Sequence, residues 1–306
     1  MQAAQTLERP DARPIPGLVR LTERQLRAHR IGLLLVSLIP LVGVAAAIWH
    51  WWGHGISGVD AAIFASLYAF TGLGISTGFH RLFAHKGFEA PAPVRFVLAV
   101  AGSMAIEMGV ISWVATHRRH HAFSDKPGDP HSPHLQAEEG WRGIVKGLWY
   151  AHMGWLFADD RTSKERWAPD LLKDRPVKAV DGRFGTLVAV SFILPAVLGL
   201  VATRSLTGAL TAFVWGGLVR IFLLHHVTFS INSVCHFFGS RPFDTKEKST
   251  NNWMLSVLSF GESWHNNHHA FPSNAIFGRR PWQVDMGGVL VWSLEKTGLA
   301  TKVRRS

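Results

Sequence analysis

The stretch FVLAVAGSMAIEMGVISWVAT, residues 96–116, is apolar apart from Glu107 and long enough to cross a bilayer, for which roughly 20 residues suffice. Whether it crosses decides the fold. HRLFAH (His80–His85) precedes it and HRRHH (His117–His121) follows it, so a crossing would put these two groups on opposite faces of a membrane. A third group, HNNHH (His265–His269), repeats the His-x-x-His-His spacing of the second. Histidine is the commonest metal ligand, and one shared metal site accounts for all three groups. That account requires residues 96–116 to stay on one side, as an interfacial or buried helix.

Three other runs carry no formal charge: Ile31–Ile48, Ala61–Phe79 and Phe184–Thr203, of 18, 19 and 20 residues. Each reads as a membrane span. A fourth, from Leu206 to about Ser230, contains Arg220, His225 and His226. Such groups are costly in a membrane, and mark either function or a helix running out into water. The expected fold is therefore an all-α integral membrane protein with four transmembrane helices in two hairpins. A cytosolic helical cap would hold a histidine-rich site for two metals. In this organisation residues 1–30 are a basic cytosolic arm and 31–79 the first hairpin. Residues 80–183 carry the first two histidine groups, 184–230 form the second hairpin, and 231–306 carry the third group. Residues 122–142 are rich in Pro, Gly and charge and read as a loop.

The chain has 306 residues, 47% of them hydrophobic, and a net charge of +11. Its basic residues flank the spans without a basic-aromatic ladder, which argues against nucleic acid as a partner. Anionic lipid headgroups are the expected attraction, and some of the charge suits a phosphate-bearing substrate. Six arginines precede the first span, and HWWGHGISGVD after it contains neither Lys nor Arg. The segments 80–183 and 239–306 are rich in both, so the ends and both long polar segments are expected to face the cytoplasm. The first 30 residues lack the apolar region of a cleavable signal, so the first span is expected to be retained. Cys235 is the single cysteine; it allows no intrachain disulfide and suits a reducing compartment.

His117 and His121 are four apart and share a helix face, whereas His120 is turned away by about 100°. One such group can serve two metals. The same holds for His265, His268 and His269, while His80 and His85, five apart, face different directions on an unbroken α-helix. Eight imidazoles exceed the four to six ligands of one first-row ion, so a pair of ions is expected. Asn232 and His236 lie one helical turn apart at the exit of the fourth span, where both can point into the same site. The Glu-x-x-His pattern of carboxylate di-iron bundles has no counterpart in the chain. Glu107 and Glu262 lie near the groups in sequence; each reads either as a partner orienting a ring nitrogen or as an interfacial or helix N-terminal charge.

HRLFAH, HRRHH and GESWHNNHHAFP resemble the three histidine boxes of integral-membrane fatty acyl desaturases. NSVCHFFGSRPFD (Asn232–Asp244) and HMGWLF (His152–Phe157) are similar to further elements of the acyl-CoA delta-9, stearoyl-CoA type, branch. The resemblance spans Gly78 to Pro272. It implies a mushroom-shaped four-span protein with two irons in its cap and the acyl chain in a bent, enclosed tunnel. By motif matching the metal ligands are His80, His85, His117, His120, His121, His236, His265, His268 and His269, with Asn232 holding one metal through a water. Trp113 and Thr228 match residues that shape the bend. Two departures are specific: Glu107 stands where animal members usually carry Gln, and Ala115 lies near a position where they offer an Arg to the thioester headgroup. The carrier is thereby left open between coenzyme A, an acyl carrier protein and a phospholipid, with acyl-CoA expected.

Taking two hydrogens from an unactivated methylene pair offers no acidic proton and no leaving group, so side-chain acid-base chemistry cannot do it. Two iron ions with dioxygen as co-substrate can, and zinc is a possible substitute in purified material. The chain has no His-Pro-Gly-Gly haem motif, no dinucleotide fingerprint and no cysteine cluster. A separate ferredoxin, cytochrome or flavin reductase is the expected electron donor. The rival in the same class is a lipid or alkane hydroxylase. From a different class, a membrane metal transporter would want polar ligands near mid-bilayer, and a bis-histidine haem protein would need only two axial histidines.

Overall fold

The structure is a computed structural model that describes residues 15–135 and 139–305; the first part of the basic arm and the middle of the 122–142 loop lie outside the described residues. The helices are α1 (Glu23–His54), α2 (Gly58–Leu73), α3 (Ala92–Ser103), α4 (Val110–Phe123), α5 (Gly140–His152), α6 (Lys164–Trp167), α7 (Arg175–Asp181), α8 (Phe184–Thr203), α9 (Leu206–Ala212), α10 (Arg220–Ser233), α11 (His265–Ala270) and α12 (Met286–Lys296). The π-helical stretch Gly74–Ala84 extends α2, and a second, Phe213–Val219, joins α9 to α10. The all-α expectation has one small addition. β1 (Leu18–Arg20) pairs antiparallel with β2 (Asp160–Thr162), tying the chain ahead of α1 to the polar segment.

Four helical rods are long and apolar enough to cross a membrane: Glu23–His50, Gly58–Ala84, Phe184–Thr203 and Leu206–His236. In chain order they form two hairpins, with turns at residues 55–57 and at Arg204 and Ser205; α8 packs on α9, whereas α1 packs on Phe213–Val219 and α10 of the fourth rod. Leu34, Leu38 and Val42 on α1 and Ile193, Val197 and Val201 on α8 are exposed, as faces toward lipid would be. The rods extend beyond the apolar runs: the first covers Glu23–His50 rather than Ile31–Ile48, the second Gly58–Ala84 rather than Ala61–Phe79, and the fourth runs past Ser230 to His236. Charge marks where a helix stops being apolar, and these helices continue beyond that point.

Arg220 and His225 do not face lipid. Arg220 is fully buried and donates to the Gly216 carbonyl at 2.6 Å and to Ser191 Oγ at 2.7 Å. His225 Nε2 lies 2.8 Å from the Ala105 carbonyl. Inside a bilayer every polar group needs such an internal partner.

Residues 96–116 are not one helix. α3 ends at Ser103, the chain turns through residues 104–109 with Ile106 at φ 63°, and α4 starts afresh at Val110. The 12 residues of α3 are too few to span. α3 packs against Gly74–Ala84, where a Cβ on Gly74 would lie 2.2 Å from the Gly102 amide. Two glycines at the crossing let the backbones meet, and this seats the segment that carries His80.

Candidate metal centre

His80 and His85 belong to the π-helical stretch and its cap. The His85 amide bonds to the His80 carbonyl, an i to i+5 link, at 3.1 Å. In α-geometry residues five apart diverge, but the wider π-turn brings them to one face, and their ring centroids are 4.9 Å apart. The expectation of divergent directions is corrected by this local unwinding. α4 presents His117 and His121 together and turns His120 aside, as its spacing requires. α11 is a short helix whose N-terminus is held by Asn251: its Oδ1 accepts from the Asn266 and Asn267 amides at 2.9 and 3.1 Å. Asn267 donates to the Phe277 carbonyl at 2.9 Å and Asn266 to that of Phe243 at 3.1 Å. The two asparagines of HNNHH thus anchor the helix while its histidines face inward.

The nine sequence-derived histidines converge in two groups, His80, His85, His117, His121 and His268 in one, and His120, His236, His265 and His269 in the other. Their Nε2 atoms approach one another: His85 to His117 at 2.7 Å, His80 to His268 and His236 to His265 at 3.0 Å, His265 to His269 at 3.1 Å. Adjacent nitrogens each about 2.05 Å from a shared ion would lie roughly 2.9 to 3.3 Å apart. His120 Nε2 is buried with no hydrogen-bond partner among the described residues. An orphaned lone pair facing other imidazole nitrogens fits a cation between them, so the donor set suits two metal ions with nitrogen-rich shells.

The opposite edges of several rings are held by acids. Glu262 bonds His80 Nδ1, Asp129 lies 2.9 Å from His120 Nδ1, and Asp125 lies 3.0 Å from His236 Nδ1. Such contacts set the tautomer and leave Nε2 free to bind metal. Both groups open on a narrow cavity. Ile75, Leu224, Val227, Ile231, Leu258 and Phe260 supply apolar walls, and Trp113, Thr228 and Asn232 line it beside His80, His117, His120 and His265.

The sequence model of the family described as "Fatty acid desaturase" matches residues 59–284. The chain belongs to the fatty acid desaturase family. It is 40% identical over 272 residues to a hex-5-enoyl-[acyl-carrier protein] acetylenase of Moorena producens (strain JHB), covering 89% of this chain and 85% of that one. It is 38% identical to an sn-1 stearoyl-lipid 9-desaturase of Anabaena variabilis, with 76% and 79% covered. An icosanoyl-CoA 5-desaturase of Limnanthes douglasii is 36% identical, with 76% and 61% covered.

Burial, with repulsion from neighbouring imidazoles, holds His85, His117, His121, His265, His268 and His269 of this desaturase well below the usual histidine range. They are neutral at pH 7, the form that binds metal. Burial tends to raise Asp129, yet the His120 contact outweighs it and brings the carboxyl down to about 2. Asp125, in contact with His236, is likewise held below the carboxylate range against its burial.

The two sequence-derived acids separate in this desaturase. Glu262 reaches a histidine directly and is braced by Arg81, fully buried between Glu262 at 3.1 Å and Asp285 at 2.8 Å. Glu107 orients no imidazole; its Oε2 accepts from Trp113 Nε1 at 2.9 Å, and Thr228 lies close enough to act on its carboxyl. It acts on the histidines only through Trp113, which stacks on His117 with centroids 5.0 Å apart. Burial first of all pushes Glu107 up to about 7. Sequence reading missed Asp125, Asp129 and Arg81. The acids of SDKPGDP, directly after the second histidine group, were the available signal, but a Pro- and Gly-rich stretch reads as a loop whatever its acids touch.

Proposed function

We propose that this desaturase introduces a mid-chain cis double bond, near delta-9, into a long-chain saturated fatty acyl thioester carried by coenzyme A. The observation that carries the reading is the pair of inward-facing imidazole groups in the wall of a narrow apolar cavity. Two iron ions held by the nine histidines, with dioxygen and two electrons from a separate donor, would supply the oxidising power, so that a methylene pair, O2, two electrons and two protons become an alkene and two waters. Every other requirement falls on the chain itself. The apolar walls hold methylenes and exclude water. Trp113 and Thr228, joined through Glu107, form the bend that presents one methylene pair to the histidine wall. Asn232 would hold a water at the four-histidine group.

The bias of Lys and Arg supports a cytoplasmic site with both chain ends on that side. The relatives named above act, by their names, on acyl groups carried by acyl carrier protein, by lipid and by coenzyme A, so the carrier is tested directly. Expression in a host that makes no unsaturated fatty acids, followed by mass spectrometry of its lipids, should reveal one cis isomer. Purified enzyme with a competent reductase should act on stearoyl-CoA in preference to the acyl carrier protein thioester or the phospholipid. Predominantly hydroxylated product would overturn the assignment. A second reading is favoured by the acetylenase relative: removal of two hydrogens from an existing alkene would yield an alkyne, read by mass spectrometry when the purified enzyme is given an alkenoyl thioester in place of stearoyl-CoA.

A further inference from the structure

Behind the two histidine groups the carboxylates are divided unequally. Asp129 lies 2.9 Å from His120 Nδ1, Asp125 3.0 Å from His236 Nδ1, and Glu247 3.6 Å from His269 Nδ1. All three stand behind the four-histidine group. Behind the five-histidine group a single acid, Glu262, contacts a ring, that of His80, and Arg81 is divided between Glu262 and Asp285. Of the cations near the three acids, Arg119 pairs with Asp160 at 3.2 Å, Lys248 contributes its backbone amide to Asp125, and Arg241 donates to the backbone carbonyls of Glu247 and Ser249 at 2.7 and 2.6 Å.

Resting on the two-metal reading, we infer that the metal positions are electronically inequivalent, and that Asp125, Asp129 and Glu247 make the four-histidine position the one that holds the more highly charged ion when the pair is half oxidised. A carboxylate on the outer ring nitrogen makes an imidazole a stronger donor, and a fixed anion favours the ion of higher charge by simple attraction. The fifth imidazole of the other group works in the opposite sense, but it is a neutral donor, whereas each acid adds a full charge. Three largely uncompensated carboxylates therefore outweigh it. In this role the three acids are positioning and charge-balancing residues; none touches the cavity.

The test uses the full chain, purified in detergent, loaded with isotopically enriched iron and followed by Mössbauer spectroscopy through stepwise oxidation. Asp129→Asn and Glu247→Gln should each change the ferric component of the half-oxidised form. Each should also move the first oxidation step toward the ferrous side by roughly tenfold or more, about 59 mV for a one-electron couple. Glu262→Gln should change the ferrous component and move that step less. Equal shifts from both kinds of variant, or a larger one from Glu262→Gln, overturn the inference. Iron content by mass spectrometry reports whether each variant has kept its fold and metals. Should Asp129→Asn fail there, Glu247→Gln, whose contact is longer and whose other bonds are to Ser249, carries the decision. A wild type that desaturates but shows symmetric shifts sinks this inference alone; a chain that retains no iron sinks the functional reading with it.

Discussion

Glu107 is a single residue with a measurable signature. Its carboxyl is buried against Trp113 and Thr228 and raised from 4.5 to about 7. The neutral acid can mimic the glutamine of similar enzymes, whereas the anion would sit beside an apolar cavity. Raised in the folded state, this group contributes stability that is fully present below about 4.5 and lost as pH rises to about 7, worth about 3 kcal/mol. Desaturation by the wild type should accordingly decline as pH rises through about 7, and Glu107→Gln should flatten both profiles. A wild-type rate unchanged between pH 6 and pH 8, on about one unit to either side of that midpoint, would refute the assignment. Among the histidines, His236 stands alone in sequence. His236→Ala should abolish turnover and reduce bound metal at the four-histidine group; full activity would remove it from the proposed set. Trp113→Ala should loosen the bend, lower the rate, and release a shifted double bond or hydroxylated product, read by mass spectrometry.

At the scale of the element, the π-helical stretch decides the site. His80 and His85 meet because one turn is widened, and that turn is seated by the glycine crossing with α3. A methyl group on Gly74 would lie 2.2 Å from the Gly102 amide. Gly74→Ala should therefore cost roughly 1–3 kcal/mol by overpacking, and by shifting the turn should also lower the metal content of the purified protein. Thermal unfolding and metal analysis check both; a variant with unchanged midpoint and full metal content would show that the crossing tolerates separation. α11 has the contrasting design. Six residues are too few for a helix to stand alone, and Asn251, Asn266 and Asn267 supply the bonds that fix it.

For the whole molecule the prediction concerns topology. Two hairpins return both the His80 and His236 ends to one side, and the proposed orientation makes that side cytoplasmic. Cys235 is buried, so introduced cysteines can be labelled against a low background. Ser57→Cys, in the loop between α1 and α2, should react with an impermeant reagent from outside intact cells. Lys246→Cys should react only after the membrane is opened. The reverse pattern would invert the proposed topology while leaving the metal centre intact.

Much of this arrangement was legible in the sequence, because periodicity and hydrophobic length act locally. The apolar runs set the number of spans. The four-residue spacing within His117–His121 and His265–His269 set which rings share a face, and the need for one shared site argued that residues 96–116 do not cross. Only the tertiary structure decided what depends on departures from regular geometry and on contacts between distant segments. His80 and His85 share a face through a π-turn that no residue spacing announces, and the turn persists because α3 packs against it. Glu262 and Glu107 were equal candidates along the chain. One reaches His80 across 182 residues of separation and the other stops at Trp113, since a carboxylate's role is set by what the fold brings to its oxygens. Asp125 and Asp129 lie in a stretch that reads as loop, and only folding places their charges behind the imidazoles.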